Sequence, residues 1–226
     1  MSTMQTEHHY TDSNGTLLGY LQYLPAEASD DSALPLLLFL HGAGQRGEAL
    51  ELITEHGIPK IVAAPPIDPF PFIAISPQCP SNRWWSHYSA ALVALFRHAV
   101  DSLPVDPQRV YLTGISMGGQ ACWDVAATDR FGDQLAALAP ISPLRPGLHE
   151  PEVVADALAD VPIWLFHGDA DPIVPIEESQ VMVRALRAAG ADIQFTVYPG
   201  VEHDAWTQTY DNPHLYEWFL AHSRAR

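Results

Sequence analysis

Three side chains in the second half of the chain have the types and the order that nucleophilic hydrolysis needs. Ser116 lies in G-I-S-M-G at 114–118, Asp171 in G-D-A-D-P-I-V-P at 168–175, and His203 in V-E-H-D at 201–204. A serine hydroxyl attacks a carbonyl poorly until a base removes its proton, and a carboxylate orients that base and stabilises its charged form. The order serine, acid, histidine therefore predicts acyl transfer by an activated serine.

The residues around Ser116 favour a chemical role over a plain tight turn, which is the alternative. R-V-Y-L-T at 109–113 has the composition of a strand, and M-G-G-Q-A-C-W-D at 117–124 has that of a helix. Gly114, Gly118 and Gly119 would relieve the crowding of a sharp strand-to-helix corner, where a Cβ would meet neighbouring backbone. Ser116 would then lie at a helix N-terminus, whose free N–H groups favour a developing negative charge.

The base and the acid have to be chosen among several residues. Five histidines follow the serine: His149, His167, His203, His214 and His222. His203 lies in a loop between the last strand and the last helix, where a base is expected, whereas we interpret His167 as a hydrogen-bonded structural residue. Asp169 and Asp171 both follow the strand that ends at His167. Asp169 comes in the turn directly after that strand and is better suited to cap backbone N–H groups, so Asp171 is the predicted acid.

A glycine-rich loop is the predicted anion site for the tetrahedral intermediate. H-G-A-G-Q-R-G at 41–47 follows a strand that ends at Leu40, and its glycines allow backbone amides to point into a cavity. We predict that the N–H groups of Ala43 and Met117 hold the oxyanion, and loss of one such donor typically costs about 3–4 kcal/mol. The alternative is a glycine-rich turn without chemistry. A phosphate-binding loop is not expected, because neither G-K-[ST] nor G-x-G-x-x-G occurs.

Short apolar runs predict the strands that position these residues. After a hairpin around 8–10 and 17–23, the runs lie at 35–40, 71–76, 109–113, 135–139, 162–167 and 193–198. Segments with helical period lie at 86–102 and 177–189, and a closing helix follows around 216–220. This alternation predicts an α/β protein with a mostly parallel sheet and helices on both faces. In such sheets reactive groups gather at the C-terminal ends of the strands.

Length and charge limit the class of protein. A chain of 226 residues that is 47% hydrophobic and 17% charged predicts one globular domain over 1–226. The 11 Lys and Arg against 27 Asp and Glu give a net charge of −16. Such a field repels phosphate backbones and anionic lipids, so we expect neither nucleic acid nor a membrane as a partner.

Other absences support further expectations. The first residues lack a basic segment followed by an apolar one, which predicts a cytoplasmic protein. Cys79 and Cys122 are expected to be free thiols, since an intracellular chain of this length needs no disulfide. No cluster has the spacing of metal ligands, so we expect no metal and no organic cofactor.

Five stretches together are similar to segments of the α/β-hydrolase superfamily: F-L-H-G-A-G-Q-R-G, S-P-Q-C-P, G-I-S-M-G-G-Q, H-G-D-A-D-P-I-V-P and Y-P-G-V-E-H-D-A-W. Over nearly its whole length the chain most resembles small bacterial carboxylesterases of the phospholipase/carboxylesterase and dienelactone-hydrolase-like group. The resemblance implies the α/β-hydrolase fold, with a sheet of about eight strands, and makes Ser116, Asp171 and His203 nucleophile, acid and base. Dienelactone hydrolases proper use a cysteine nucleophile, and the serine here argues against that narrower activity.

The site is predicted to be open to small ester substrates. Only 22 residues separate the strand at 135–139 from Pro162, too few for a large cap domain. The candidate substrate-binding residues are Gly42, Gly44, Trp85, Gln120 and Trp206, and core packing is the alternative for the two tryptophans.

The function predicted from these residues is that of a serine carboxylesterase acting on short-to-medium acyl esters through an acyl-enzyme. A serine peptidase or an acyl-thioesterase with the same three residues is the alternative. A hydrolase-like binding module without activity is the remote one. The oligomeric state stays open.

Overall fold

Eight strands form one sheet in the computed structural model, which describes residues 5–29 and 31–224. The strands are β1 (Thr6–Thr11), β2 (Leu17–Tyr23), β3 (Leu34–Leu40), β4 (Ile73–Pro77), β5 (Val105–Ile115), β6 (Ala137–Ile141), β7 (Ile163–Gly168) and β8 (Ile193–Tyr198). They lie in the order β1-β2-β4-β3-β5-β6-β7-β8. The opening hairpin pairs antiparallel with itself and with β4, and every other pairing is parallel. The predicted α/β-hydrolase fold, with a mostly parallel sheet of eight strands, is confirmed.

The helices cover both faces of this sheet. They are α1 (Gly57–Ile61), α2 (Ser89–Ser102), α3 (Met117–Ala127), α4 (Pro151–Ala157), α5 (Ile176–Ala188), α6 (Trp206–Tyr210) and α7 (Pro213–Ala221). Side chains of α2, α3, α4 and α5 belong to one apolar core, and side chains of α1, α6 and α7 belong to another on the opposite face. The predicted helices on both faces are therefore confirmed.

The central strand β3 shows why its sequence is apolar at every position. Leu36, Leu38 and Leu40 pack into the first core, whereas Leu37 and Phe39 pack into the second. Successive side chains of a strand point to opposite faces, so a strand with a helix layer on each side buries both sets. Such a strand holds its C-terminal end, and the loop that follows, in a fixed position.

One strand and three short helices differ from the sequence prediction. Strand β6 covers Ala137–Ile141 instead of 135–139 and continues through Pro140. Pro140 has no N–H to donate, and the pairs with β7 on either side of it are Leu138 with Ile163 and Ile141 with Phe166. The helices α1, α4 and α6 were not predicted, because each spans only five to seven residues and presents too little periodic pattern.

The segment between β6 and β7 contains no cap domain. Its residues, 142–162, are all described, and α4 is the one α-helix they form. Val154 of α4 is fully buried in the same core as α3 and α5, so this helix packs beside the sheet. Among the residues described, no helix combines the length and apolar character needed to cross a bilayer.

Candidate active site

Ser116 lies at a sharp corner between β5 and α3. Its backbone has φ +52° and ψ −113°, a conformation that costs free energy for a residue with a Cβ. Two hydrogen bonds fix the corner: the Ser116 N–H donates to the carbonyl of Ile141 at 2.9 Å, and the Ser116 carbonyl accepts from the N–H of Gln120 at 2.9 Å. The hydroxyl is thus presented at the C-terminal edge of the sheet, where the sequence places it.

The glycines of the motif are required by the close approach of backbone to backbone. A Cβ on Gly118 would overlap the carbonyl group of Leu40 at the end of β3. A Cβ on Gly114 would overlap the carbonyl group of Gly118 itself. Because the clashing atoms are backbone, no side-chain rotation can relieve them, and glycine is the residue that fits at both positions.

The three polar residues singled out from the sequence lie in one hydrogen-bonded line. His203 Nε2 is 2.9 Å from Ser116 Oγ, and His203 Nδ1 is 2.7 Å from Asp171 Oδ2. The carboxylate can only accept, so Nδ1 carries the proton and Nε2 is free to accept from the serine hydroxyl. The ring has the tautomer that a general base acting on Ser116 requires.

Asp171 is held as a buried carboxylate. Its side chain is fully shielded from solvent. Burial acts to raise the pKa of Asp171, but hydrogen bonds from His203 and from the N–H groups of Val174 and Ile173 outweigh it, and the pKa lies below the ordinary value. The carboxylate therefore remains charged beside the imidazole at neutral pH.

Asp169 has the role expected for it, two residues before the acid of the line. Its Oδ1 accepts a hydrogen bond from the N–H of Gly200 at 2.6 Å. Gly200 has φ +71° and begins the loop that carries His203. The prediction that Asp169 caps backbone N–H groups is confirmed.

The loop after β3 and the start of α3 bring two backbone N–H groups to this edge. Ala43 begins a 3₁₀ turn over Ala43–Gln45, and Met117 is the first residue of α3. The first N–H groups of a helix have no acceptor inside the helix, which is the arrangement that anion sites use. Gly42 precedes the turn and donates its N–H to Gln45 Oε1 at 3.1 Å. A Cβ on Gly44 would meet nothing within 4 Å, so Gly44 faces open space.

The buried side chains of His41 and Trp85 support this loop through hydrogen bonds. The Cys79 N–H donates to His41 Nε2 at 2.9 Å, which leaves Nδ1–H to donate to the Gly42 carbonyl at 2.6 Å. Trp85 Nε1 donates to the His41 carbonyl at 3.0 Å. Burial lowers the pKa of His41 to about 4, so the ring is neutral and its two hydrogen bonds keep these directions over the physiological range.

Trp85 is a correction to the predicted substrate-binding set. It is 1% exposed and belongs to the core below α2. Because its surface is already covered by protein, it supports the loop and has none left for a substrate. For this tryptophan the alternative of core packing is the one that the structure shows.

Gln120 and Trp206 lie beside the line but are partly engaged by protein. Gln120, one turn after Ser116, donates Nε2–H to the Arg145 carbonyl at 3.0 Å. Trp206 packs edge-on against the His203 ring, with ring centroids 5.1 Å apart, and against His56 at 5.8 Å. Both therefore border the site: Gln120 contacts the loop after β6, and Trp206 contacts the imidazole of His203.

Ser142 was not singled out from the sequence. It follows β6, is fully buried and has φ +45°. Its Oγ–H donates to the His203 carbonyl at 3.1 Å, which ties the loop of His203 to the end of a neighbouring strand. The signal that could have found it is its position directly after the strand ending at Ile141, since strand ends are where such groups gather.

The described residues contain no group of three or more His, Cys, Asp or Glu side chains arranged to hold a metal ion. Cys79 and Cys122 are both free and buried, as expected. Burial raises the pKa of Cys79 to about 12, so its thiol stays protonated and is a poor nucleophile.

Comparison with known proteins shows the family of this chain. A model of the dienelactone hydrolase family matches residues 76–217, more than half of the chain. The chain belongs to the dienelactone hydrolase family. The match includes Ser116, Asp171 and His203 but starts after the glycine-rich loop at 41–47.

Similar proteins include esterases and thioesterases. Acyl-protein thioesterase 1 of Gibberella zeae is 30% identical over 121 residues, 52% of this chain and 50% of that protein. The chain spans about half the length of the curated relatives it matches first. A thermostable esterase of known structure superposes with a TM-score of 0.80 at 29% identity, covering 97% of this chain and 63% of that one. Esterase 2 of Thermogutta terrifontis, phosphorylated by paraoxon, shares the fold at 20% identity and a TM-score of 0.69, covering 98% of this chain and 95% of that one.

Proposed function

We propose that this member of the dienelactone hydrolase family is a serine carboxylesterase that hydrolyses short-to-medium acyl esters of small molecules. The observation that carries the proposal is the hydrogen-bonded line from Ser116 Oγ through both ring nitrogens of His203 to Asp171 Oδ2, with steps of 2.9 and 2.7 Å. Each distance is within the reach of direct proton transfer. The serine in place of a cysteine favours ester hydrolysis over the dienelactone reaction.

In the first half of the reaction Ser116 Oγ attacks the carbonyl carbon while its proton moves to His203 Nε2. Asp171 stabilises the imidazolium that forms, and the N–H groups of Ala43 and Met117 hold the oxyanion. When the tetrahedral intermediate collapses, the bond to the alcohol breaks and His203 Nε2 returns the proton to the leaving oxygen. The product of this half is an ester of Ser116 with the acyl group.

In the second half a water molecule takes the place of the alcohol. His203 Nε2 removes one proton from the water as its oxygen attacks the acyl carbon, and the same two N–H groups hold the oxyanion. Collapse then breaks the bond to Ser116 Oγ, which recovers its proton from His203, and the carboxylic acid leaves. No further cofactor is needed for these steps.

The lack of a cap domain between β6 and β7 supports the proposed size of the substrate. The segment 142–162 forms one α-helix, α4, which packs beside the sheet. Because this segment adds no cap domain, we expect it to contribute no enclosed channel for an extended acyl chain. Short esters that reach Ser116 directly from solvent fit such a site better.

Labelling with a fluorophosphonate probe tests the proposed function. The probe transfers its phosphonyl group to an activated serine, so intact mass should show one adduct per chain, and Ser116→Ala should remove both the adduct and p-nitrophenyl butyrate turnover. Ser102→Ala is the matched control, since Ser102 is exposed at the end of α2 and its hydroxyl donates to the His98 carbonyl. Retained turnover in Ser116→Ala would contradict the proposal. No adduct and no turnover in the unmodified protein would favour a binding module without activity.

An acyl-thioesterase is the second candidate. It is favoured by the 30% identity with acyl-protein thioesterase 1 of Gibberella zeae over half of this chain. The same Ser116 chemistry serves both bonds, so the leaving group has to be varied. Comparing kcat/KM for p-nitrophenyl esters, acyl-CoA thioesters and peptide amides of one acyl length separates the two candidates from a peptidase.

A further inference from the structure

A second histidine, His167, lies behind the acid of the proposed triad. It is the second-to-last residue of β7, four residues before Asp171, and its side chain is fully buried. Its Nδ1 is 2.7 Å from Ser179 Oγ on α5, and its Nε2 is 2.9 Å from the carbonyl of Val174. The ring therefore joins β7, the loop of Asp171 and α5 inside the protein.

The partners of His167 determine its tautomer. A carbonyl oxygen can only accept, so Nε2 must carry the proton. In the neutral ring Nδ1 is then an acceptor, and the Ser179 hydroxyl donates to it. Burial lowers the pKa of His167, and although the Val174 carbonyl and Asp171 act in the opposite direction, the pKa lies below the ordinary value. The ring is neutral in the range where an esterase works.

Nε2 also lies close to the acid. His167 Nε2 lies 3.3 Å from Asp171 Oδ2, the same oxygen that accepts from His203 Nδ1 at 2.7 Å. The other oxygen, Oδ1, accepts from the N–H groups of Ile173 and Val174 at 2.9 Å each. The carboxylate is thus fixed through Oδ1 by its own loop, while Oδ2 lies between two histidines. Asp171 and His203 are the titratable groups whose charges act on the His167 ring.

We propose that His167 is a positioning residue for the reaction, a neutral N–H donor that holds Asp171 Oδ2 in line with His203 and is itself oriented by the Ser179 hydroxyl. This inference rests on the proposed function, because it assigns a role behind the same triad. The His167 N–H draws part of the carboxylate charge toward itself and restrains rotation of the carboxylate about its Cβ–Cγ bond. Without this donor Oδ2 is less constrained and its charge acts more fully on His203.

Two substitutions separate the effect of the His167 N–H donor from the effect of the shape of its ring. His167→Phe keeps an aromatic ring but removes the N–H, whereas the amide nitrogen of His167→Gln can occupy the place of Nε2 and donate. We expect His167→Phe to lower kcat about 10-fold with little change in KM, the size of effect seen when an outer hydrogen-bond partner is lost. The acid limb of its kcat/KM profile should move up by about 0.5 pH unit, because a more strongly charged carboxylate favours the protonated base. His167→Gln should restore most of kcat and the acid limb.

The control is His222→Phe, which removes a partly buried histidine bonded to the Trp218 carbonyl, remote from the triad in the fold. The inference is overturned if His167→Phe keeps the kcat and acid limb of the unmodified enzyme. It is equally overturned if His167→Phe and His167→Gln lose activity alike with an unmoved acid limb, since that is the behaviour of a merely structural residue.

A measurement on the unmodified protein keeps the inference testable if His167→Phe does not fold. In ¹⁵N-histidine spectra at pH 7 to 8, His167 should be neutral, with its proton on Nε2. A proton on Nδ1 or a charged ring would overturn the inference. Failure of the proposed function looks different: Ser116→Ala would keep its turnover while the His167 tautomer remained as stated.

Discussion

Asp169 and Asp171 lie two residues apart on one loop, yet their carboxylates serve different partners. Asp171 Oδ2 accepts from His203 Nδ1 at 2.7 Å, whereas Asp169 Oδ1 accepts from the Gly200 N–H at 2.6 Å. Side chains at i and i+2 of a tight loop need not share a face, and here one faces the imidazole and the other the backbone of the loop that carries it. This difference makes the pair a matched test of which acid acts in catalysis.

We expect Asp171→Asn to lower kcat by about 10³- to 10⁴-fold, because a neutral amide neither stabilises the imidazolium nor holds the correct tautomer of His203. Asp169→Asn keeps an oxygen for the Gly200 N–H and should retain kcat close to that of the unmodified enzyme. Steady-state kinetics on p-nitrophenyl butyrate, with thermal melts to verify folding, check both variants. A larger loss of kcat in Asp169→Asn than in Asp171→Asn would show that Asp171 is not the acid.

The pH profile should separate the base from the acid. Activity is expected to rise through about pH 6 to 7, the range in which histidines lose their proton. Because the pKa of Asp171 is held below its ordinary value, the carboxylate is already charged throughout this range and adds no second step. A kcat/KM profile that is flat between pH 5 and 8 would count against His203 as base.

Asp171 should also make stability depend on pH, in a lower window. Its folded pKa is below the unfolded one, so the stabilisation it supplies is present above the unfolded value and is lost as pH falls through the folded one. The difference in Tm between the unmodified protein and Asp171→Asn should therefore be constant above about pH 5 and shrink below about pH 4. A difference that grew on acidification would contradict the lowered pKa.

Gly118→Ala should destabilise the fold itself. The added Cβ would overlap the carbonyl carbon and oxygen of Leu40. Because these are backbone atoms, β3 and α3 would have to move apart. We expect the free energy of unfolding to fall by about 3 kcal/mol or more, measured by urea denaturation. Gly44→Ala is the control for stability, since its Cβ would meet nothing within 4 Å. Equal midpoints for the two variants would refute the close packing at the corner.

Trp85→Phe and Trp206→Phe should act in different ways. Trp85 Nε1 is the donor to the buried His41 carbonyl, and removing a partner from a buried polar group costs about 1–3 kcal/mol. Trp206 Nε1 is buried without a hydrogen-bond partner among the described residues, so Phe removes an unpaired donor and keeps a ring against His203. Urea denaturation should show a loss of stability for Trp85→Phe and none for Trp206→Phe. The reverse order would show that the two tryptophans have been assigned to the wrong environments.

Local patterns determined the elements and the chemistry. Runs of apolar residues predicted six of the eight strands, since a strand buried on both faces, like β3, is apolar at every position. The hairpin of β1 and β2 was predicted separately, around 8–10 and 17–23. The order of Ser116, Asp171 and His203 identified the three side chains that the structure brings within hydrogen-bond distance. Short helices such as α4 and α6 were missed, because one or two turns carry no period, and β6 was shifted because it continues through Pro140.

The supporting contacts were decided only by the tertiary structure, because they join residues far apart in the chain. The sequence leaves Trp85 open between substrate contact and core packing, and its bond to His41, 44 positions away, shows that it supports the loop. The bonds from Ser142 to the loop of His203 and from Ser179 to His167 have no counterpart in any spacing rule. A backbone pattern repeats along the sequence and can be read there, whereas the direction of a buried hydroxyl or ring depends on which strands become neighbours in the folded sheet.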